Sequence, residues 1–274
     1  MASKAPQHTD GVLERFRVRR RKRVKRFGKR LIRNMAGFLS KQSLVEDAPV
    51  LDRRQFAFLN DIEANWETIR DEIKPLLQHR DALPVFQELS RDQRKIAKDD
   101  NWHVFVLYGF GGKHESNCAR TPLTSKLLEN VPRLQTAWFS ILAPNYHVPA
   151  HRGVTKGILR CHLGIQIPKN PERCRMRVGD ETCVWREGEL FVFDDTYEHE
   201  VWNDTDEERV VLLFDFDRPM RFWGKVVHRS FIAALKRTAY FLEPKKNLPA
   251  LDARLEAAIK RADSMVDTLD DKTT

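Results

Sequence analysis

Between Ala137 and Pro219 the chain is a succession of short apolar segments broken by Pro, Gly and Asn/Asp clusters. This constrains its fold more than any other feature, because segments of that length, alternating or continuously apolar, suit strands. His151 lies in Val148–Gly153 and His199 in Phe193–Trp202, with Leu159–Pro168 between them and Arg209–Asp215 after them. Strands are predicted at 136–142, 146–152, 158–167, 174–178, 182–186, 189–194, 197–202 and 209–216. In the most regular of these, Arg160, His162, Gly164 and Gln166 share one face, and Leu159, Cys161, Leu163, Ile165 and Ile167 share the other. The stretch reads as one antiparallel barrel or sandwich with polar residues planted on its inner face.

Helices flank it. Leu59, Ile62, Trp66, Ile69, Ile73 and Leu76 repeat at helical spacing across 56–77, a core-packing stripe that Pro75 should end or kink. Residues 103–110 read as a buried strand, and Thr121-Pro122 as the start of a short helix capped by Thr121. After Pro219 the pattern turns helical again over 224–242 and 251–266. The expected organisation is an N-terminal arm (1–45), a β domain with leading helices (46–220) and a C-terminal helical extension (221–274). None of the four cysteines forms a C-x-x-C pair, so free thiols in a reducing compartment are expected.

The net charge of +9 is a local property. Arg15 to Arg33 holds twelve Arg or Lys residues and no acid, leaving the remainder at −3. Val24, Phe27, Leu31, Met35 and Phe38 form an apolar stripe through this basic segment, which suits the surface of an anionic membrane over residues 15–39. Nucleic-acid binding, an organelle presequence and a solvated tail are the competing readings, the first weakened by the lack of a base-stacking platform. No apolar run is long enough for a transmembrane helix and no signal-peptide pattern is present. The expected location is cytoplasmic, peripheral to the inner face of the cytoplasmic membrane.

His151 and His199, 48 residues apart on separate strands, can converge inside a barrel. Two histidines with open coordination positions suit a non-haem ferrous ion, but the carboxylate of the usual facial triad would fall at position 153, where Gly153 stands. Either two histidines and water hold the iron, or no metal binds. Arg160, His162 and Arg209 on inner faces would be satisfied by a small dicarboxylate such as 2-oxoglutarate. The plainer reading pairs Arg160 with Asp194, Asp195 or Glu198 and makes both histidines hydrogen-bonded core residues.

The runs His151-Arg152-Gly153, Leu159–Pro168, Trp185–Asn203 and Arg209–Pro219 closely resemble the aspartyl/asparaginyl β-hydroxylase superfamily of iron(II)- and 2-oxoglutarate-dependent oxygenases. The resemblance is dense over about 137–219 and looser over Trp102–Gly112. It implies a mainly β fold with flanking α, built on a double-stranded β-helix (jelly-roll, cupin-like) core, and an iron site of two histidines with glycine replacing the acid. Carried over, it makes His151 and His199 the Fe(2+) ligands and places Ser140 and Arg209 at the distal carboxylate of 2-oxoglutarate. Arg160 and His162 would lie by its other end and the O2 site. The activity implied is oxidative hydroxylation with 2-oxoglutarate converted to succinate.

Within that superfamily, the short chain and basic arm resemble the bacterial branch that hydroxylates the 2-position of acyl chains on ornithine lipid or lipid A. A lipid acyl substrate is therefore expected, and ornithine lipid fits better because lipid A hydroxylases of this type usually begin with a hydrophobic membrane segment. The alternatives are a β-hydroxylase of Asp/Asn residues in a peptide or protein, and a non-catalytic barrel using its basic arm to bind membrane or nucleic acid. Halogenation is a further variant, since Gly153 leaves a coordination position open.

Overall fold

A computed structural model describes residues 34–89, 97, 99–109, 112–237, 247 and 249–261. Most of the expected basic helix, and the distal parts of the two C-terminal helices, lie outside these residues. Eleven strands are described: β1 Val50–Leu51, β2 Trp102–Gly109, β3 Gly112–Lys113, β4 Leu134–Leu142, β5 Tyr146–His151, β6 Ile158–Gln166, β7 Cys174–Val178, β8 Glu181–Val184, β9 Leu190–Phe193, β10 His199–Asn203 and β11 Arg209–Asp217. The helices are α1 (34–42), α2 Leu59–Ala64, α3 Trp66–Leu77, α4 Phe86–Leu89, α5 Glu115–Arg120, α6 Pro122–Glu129, α7 Phe222–Leu235 and α8 (249–261).

The strands form two antiparallel sheets, β1-β9-β6-β11-β4-β2-β3 and β5-β10-β7-β8. Successive strands from β4 to β9 alternate or turn back between the sheets, so that β4 pairs with β11, β5 with β10, β6 with β9 and β7 with β8. This nested pairing of eight strands is the jelly-roll connectivity, and the fold is the expected double-stranded β-helix with flanking helices.

β11 explains why the large sheet is so apolar. It is buried along almost its whole length, between β4 and β6. Val210, Leu212, Phe214 and Phe216 pack with α2 and α3 on the outer face, while Val211 and Leu213 belong to the cluster between the sheets. A strand covered on both faces reads as a continuous apolar run rather than an alternating one. β6 divides the same way: Leu159, Cys161, Leu163 and Ile165 face the helices, leaving Arg160 and His162 for the barrel interior.

Local details depart from the sequence expectations. The 56–77 stripe is one buried face, but the helix breaks at Asn65 and gives α2 and α3. Pro75 lies within the last turn of α3 without ending it. Thr121 makes no side-chain cap on α6. Glu72 of α3 takes that role, its carboxylate accepting from the backbone N–H of Leu123 at 2.7 Å and Thr124 at 2.9 Å. The carboxylate also suits the positive end of the helix. All four cysteines are free, and Cys183 stands opposite Met176 rather than Cys174.

One buried ionic cluster fixes the approach to β10. Asp194 is bonded by Arg218, and both side chains are wholly buried; Lys156 adds a contact at 2.9 Å. Asp194 also accepts from the N–H of Thr196 at 2.9 Å, shaping the turn that leads to His199. Removing one partner of a buried pair strands the other charge. Asp194→Ala is therefore expected to lower the unfolding free energy by about 3–5 kcal/mol in urea denaturation, and a loss below about 1 kcal/mol would show that the pair is not desolvated as described.

Candidate active site

A cavity of about 450 Å³ opens between the sheets, lined by His151, Arg160, His162, His199, Arg209 and Ser140 together with apolar side chains. All six residues singled out in the sequence meet there. His151 ends β5, His199 begins β10, and the two are direct cross-strand partners with ring centroids 4.1 Å apart. That pairing depends on an irregularity. His199 aligns with His151 but Val201 aligns with Val148, so β5 carries an extra residue between them. In a regular strand, residues three apart face opposite sides. The bulge turns His151 onto the same cavity-lining side as Val148. β5 is an edge strand of its sheet, which is why Pro149 is tolerated at the bulge.

Each ring is set by its own backbone. His151 Nδ1 donates to the Pro149 carbonyl at 2.8 Å, and His199 Nδ1 donates to that of Tyr197 at 3.0 Å. With the proton held on Nδ1, Nε2 is the unprotonated nitrogen in both rings, the arrangement of a metal-binding imidazole. Burial lowers both pKa values, that of His199 to about 3, with the neighbouring His151 adding to the effect. The rings therefore stay neutral at physiological pH.

Gly153 admits no side chain. A Cβ there would lie 2.0 Å from Asp195 Oδ1, so the Asp195 carboxylate occupies the space a residue-153 side chain would take. The Gly153 N–H is also bound to the Asp195 carbonyl at 2.6 Å. Among the described residues, no three His, Cys, Asp or Glu side chains are grouped to hold a metal, which leaves the two histidines. Burial pushes the Asp195 carboxyl up to about 7, with the Asp215 and Asp194 carboxylates adding to the effect and Arg160 opposing it. Arg160 binds Asp215 through Nε at 2.7 Å and Nη2 at 2.9 Å, and reaches Asp195 only at 3.4 Å.

Arg209 differs. It is 2% exposed, has no carboxylate partner among the described residues, and stacks on Trp185 with 4.8 Å to the ring centroid. Burial lowers its pKa to about 10. Its Nη2 donates to Ser140 Oγ at 3.2 Å, and Ser140 also accepts from Trp102 Nε1 at 2.9 Å. Its Nε has no partner. Trp185 Nε1 donates to His162 Nδ1 at 3.3 Å, which puts the His162 proton on Nε2, also without a partner. Burial, reinforced by Arg209 and Arg160, keeps His162 neutral. A buried cation and unspent N–H donors around one cavity require an acceptor, and an anion with several oxygens satisfies them best.

Sequence reasoning did not assign Asp215 or Trp185 their places, and it offered Asp195 only as one of three candidate partners of Arg160, which the structure brings to it at 3.4 Å. Asp215 was detectable as one of two acids, with Asp217, at alternate positions of an otherwise apolar strand that begins with Arg209. The Trp185–His162–Arg209 contacts join distant segments and leave no local signal.

Residues 63–219 match the aspartyl/asparaginyl beta-hydroxylase family. The chain belongs to this family of hydroxylases. It is 38% identical over 245 residues to an ornithine lipid ester-linked acyl 2-hydroxylase of Rhizobium tropici, covering 89% of this chain and 87% of that one. It is 37% identical over 163 residues to a human aspartyl/asparaginyl beta-hydroxylase, covering 58% of this chain and 21% of the human one. A Pseudomonas putida prolyl-4-hydroxylase structure aligns over 57% of this chain and 88% of that one, with 16% identity and a TM-score of 0.36.

The depressed histidine pKa values have a measurable consequence. Below about pH 6.5 the unfolded chain takes up protons at His151 and His199 that the folded chain refuses, so metal-free protein loses stability as the pH falls. A His151→Gln/His199→Gln variant should lose less, by roughly 1–2 kcal/mol at about pH 5. Urea midpoints measured from about pH 8 to pH 5 check this, and parallel curves for the two proteins would refute it.

Proposed function

We propose that this hydroxylase uses iron(II), 2-oxoglutarate and O2 to hydroxylate a fatty acyl chain of a membrane lipid, ornithine lipid being the best-supported class. The observation that carries the reading is Arg209, a buried guanidinium without a carboxylate partner among the described residues, at a cavity that also holds two neutral imidazoles. In this reading His151 and His199 hold the iron through Nε2, and Arg209 with Ser140 holds the distal carboxylate of 2-oxoglutarate. His162 offers its free N–H toward the other end. Arg160, bonded to Asp215, shapes the wall beside it. Bound together, iron and 2-oxoglutarate supply the oxidising chemistry that inserts one atom of dioxygen into a C–H bond. The protein's share is to orient the ligand, exclude water and present the substrate carbon.

Two features favour an acyl chain over an Asp/Asn side chain. Val154, Ile158, Leu213, Ile232 and Leu235 all line the cavity, an apolar wall suited to a hydrocarbon. An acidic substrate would need a cation besides Arg209, and the other two arginines lining the cavity are paired, Arg160 with Asp215 and Arg152 with Glu198 at 3.5 Å. The R. tropici relative also spans nearly the whole chain. Attraction of the basic segment 15–39 to an anionic membrane would bring the enzyme to such a substrate, placing it peripherally on the cytoplasmic face. Among the described residues no helix is long and apolar enough to cross a membrane.

Polar-lipid mass spectra of cells with and without the gene test the substrate class. The expected result is a gain of one oxygen atom on an acyl fragment of ornithine lipid, absent when His199→Ala replaces the natural chain. A gain on lipid A would move the substrate within the lipid class. No lipid change, with succinate released on an Asp-containing peptide, would overturn the lipid reading. In purified enzyme, Arg209→Met should raise KM for 2-oxoglutarate by about 10–100-fold, the loss of a charge-assisted hydrogen-bond pair.

A further inference from the structure

Helix α7 has one face covered and one bare. Gly224, His228 and Ile232 are buried, and a Cβ at Gly157 would overlap the His228 ring, so the loop between β5 and β6 lies directly on the helix. Ile232 and Leu235 reach the cavity. Elsewhere on α7, Phe222 is 68% exposed and Trp223 64% exposed, their rings in edge-to-face contact at 5.1 Å. Val226, one turn on from Phe222, is also exposed. Large apolar side chains grouped in water mark a surface that meets something else.

The neighbouring helix extends this surface. The Arg221 N–H donates to the Gln42 carbonyl at 2.8 Å and the Leu44 N–H to the Pro219 carbonyl at 2.9 Å. The Gln42 side chain fills the space beside Gly224. α1 and the turn after it carry exposed Phe38 and Leu44. Among the described residues six large hydrophobics are exposed; five lie on these two segments and the sixth, Val154, lines the cavity. Charge follows the same surface. The sequence has no acid from Arg218 to Leu242 and none from Arg15 to Val45, and Lys225 and Arg229 of α7 are exposed. Basic residues interleaved with exposed Phe, Trp and Val match an anionic bilayer interface, where apolar groups insert and cations meet phosphates. A polyanion without an apolar layer would leave Phe222, Trp223 and Val226 in water.

We propose that the α1–α7 surface docks the protein on an anionic lipid bilayer, with Phe222, Trp223 and Val226 inserted and Lys225 and Arg229 on the headgroups. Docked this way, the helix that walls the cavity with Ile232 and Leu235 also touches the membrane, giving an acyl chain a short route inward. That purpose rests on the lipid reading above; the docking itself does not.

Full-length protein is mixed with vesicles of phosphatidylglycerol and phosphatidylcholine, or of phosphatidylcholine alone, and binding is read by flotation. Wild type should float with the anionic vesicles, and Phe222→Ser/Trp223→Ser should bind them about tenfold more weakly. Brominated acyl chains should quench wild-type tryptophan fluorescence, and Trp223→Phe should lose that quenching while still binding. An unbound wild type would overturn the proposal and leave this face to a protein partner. Unchanged binding of the double variant, or quenching that survives Trp223→Phe, would also overturn it, leaving the basic arm as the attachment. For lipid dispersed in detergent, the double variant should keep wild-type turnover within about twofold. If wild type modifies no lipid in either form, the substrate reading fails while flotation and quenching still decide the docking.

Discussion

The register between β5 and β10 is the constraint on which the site depends. It sets His151 opposite His199, and a slip of one residue would turn an imidazole away from its partner. Three features hold it. The extra residue on β5 restores the inward orientation of His151. The Gly153 N–H is tied to the Asp195 carbonyl just beyond. The buried bonds from Arg218 and Lys156 to Asp194 fix the turn before β10. The first is a backbone device in an edge strand, whereas the others come from residues distant in sequence. Together they govern where both Nε2 atoms lie.

Electrostatics then separates the cavity into a neutralised wall and an open anchor. Arg160 has Asp215, with Asp195 nearby, and Asp215 also accepts from Thr136 Oγ1 at 2.7 Å, so this wall is satisfied without a ligand. Among the described residues Arg209 has only the hydroxyl of Ser140 and the face of Trp185. A desolvated cation left in this state costs stability of the order of several kcal/mol, which ligand oxygens would recover. The differential matters for recognition: two equally neutralised arginines would give no preference for an anion, and two bare ones would burden the fold further. Gly153 completes the division. The carboxylate that fills the space beside Gly153 belongs to Asp195, held by the β9–β10 turn, and not to the strand that carries His151.

Much of the architecture was legible because burial imposes periodicity. The alternation in 158–167 separated Arg160 and His162 from the helix-facing Leu and Ile, and the apolar run at 209–216 identified a strand, though its burial on both faces emerged only from the structure. The cavity-facing residues could be gathered because polar side chains on inner faces are few. Pairings set by tertiary approach were not legible. Thr121 has the sequence of a cap, but Glu72, distant in sequence, reaches the N–H groups of Leu123 and Thr124 from α3. Arg160 was open to several acids, and the cross-strand register of β6 with β11 selected Asp215. Such choices depend on which strands become neighbours, and a local window carries no trace of it.

Helix α7 links access to attachment by a steric argument. Its covered side cannot withdraw freely, because His228 lies against Gly157 and bonds Asp217 at the end of β11 at 3.0 Å. Among the described residues its bare aromatic side has no such contacts. Force applied at Phe222 and Trp223 by a lipid interface would therefore bear on the same rigid element that carries Ile232 and Leu235 into the cavity. A surface anchored through charge alone would give attraction without orientation, since charge acts over a Debye length and specifies no angle. Apolar insertion from a helix packed on the barrel fixes an angle. For a substrate whose reacting carbon lies below the headgroups, orientation sets how far the chain must leave the bilayer, and each methylene drawn into water costs about 0.8 kcal/mol. On the proposed docking, a cavity walled by the same helix would keep that exposed length short, and the apolar face and the cavity do share that one element.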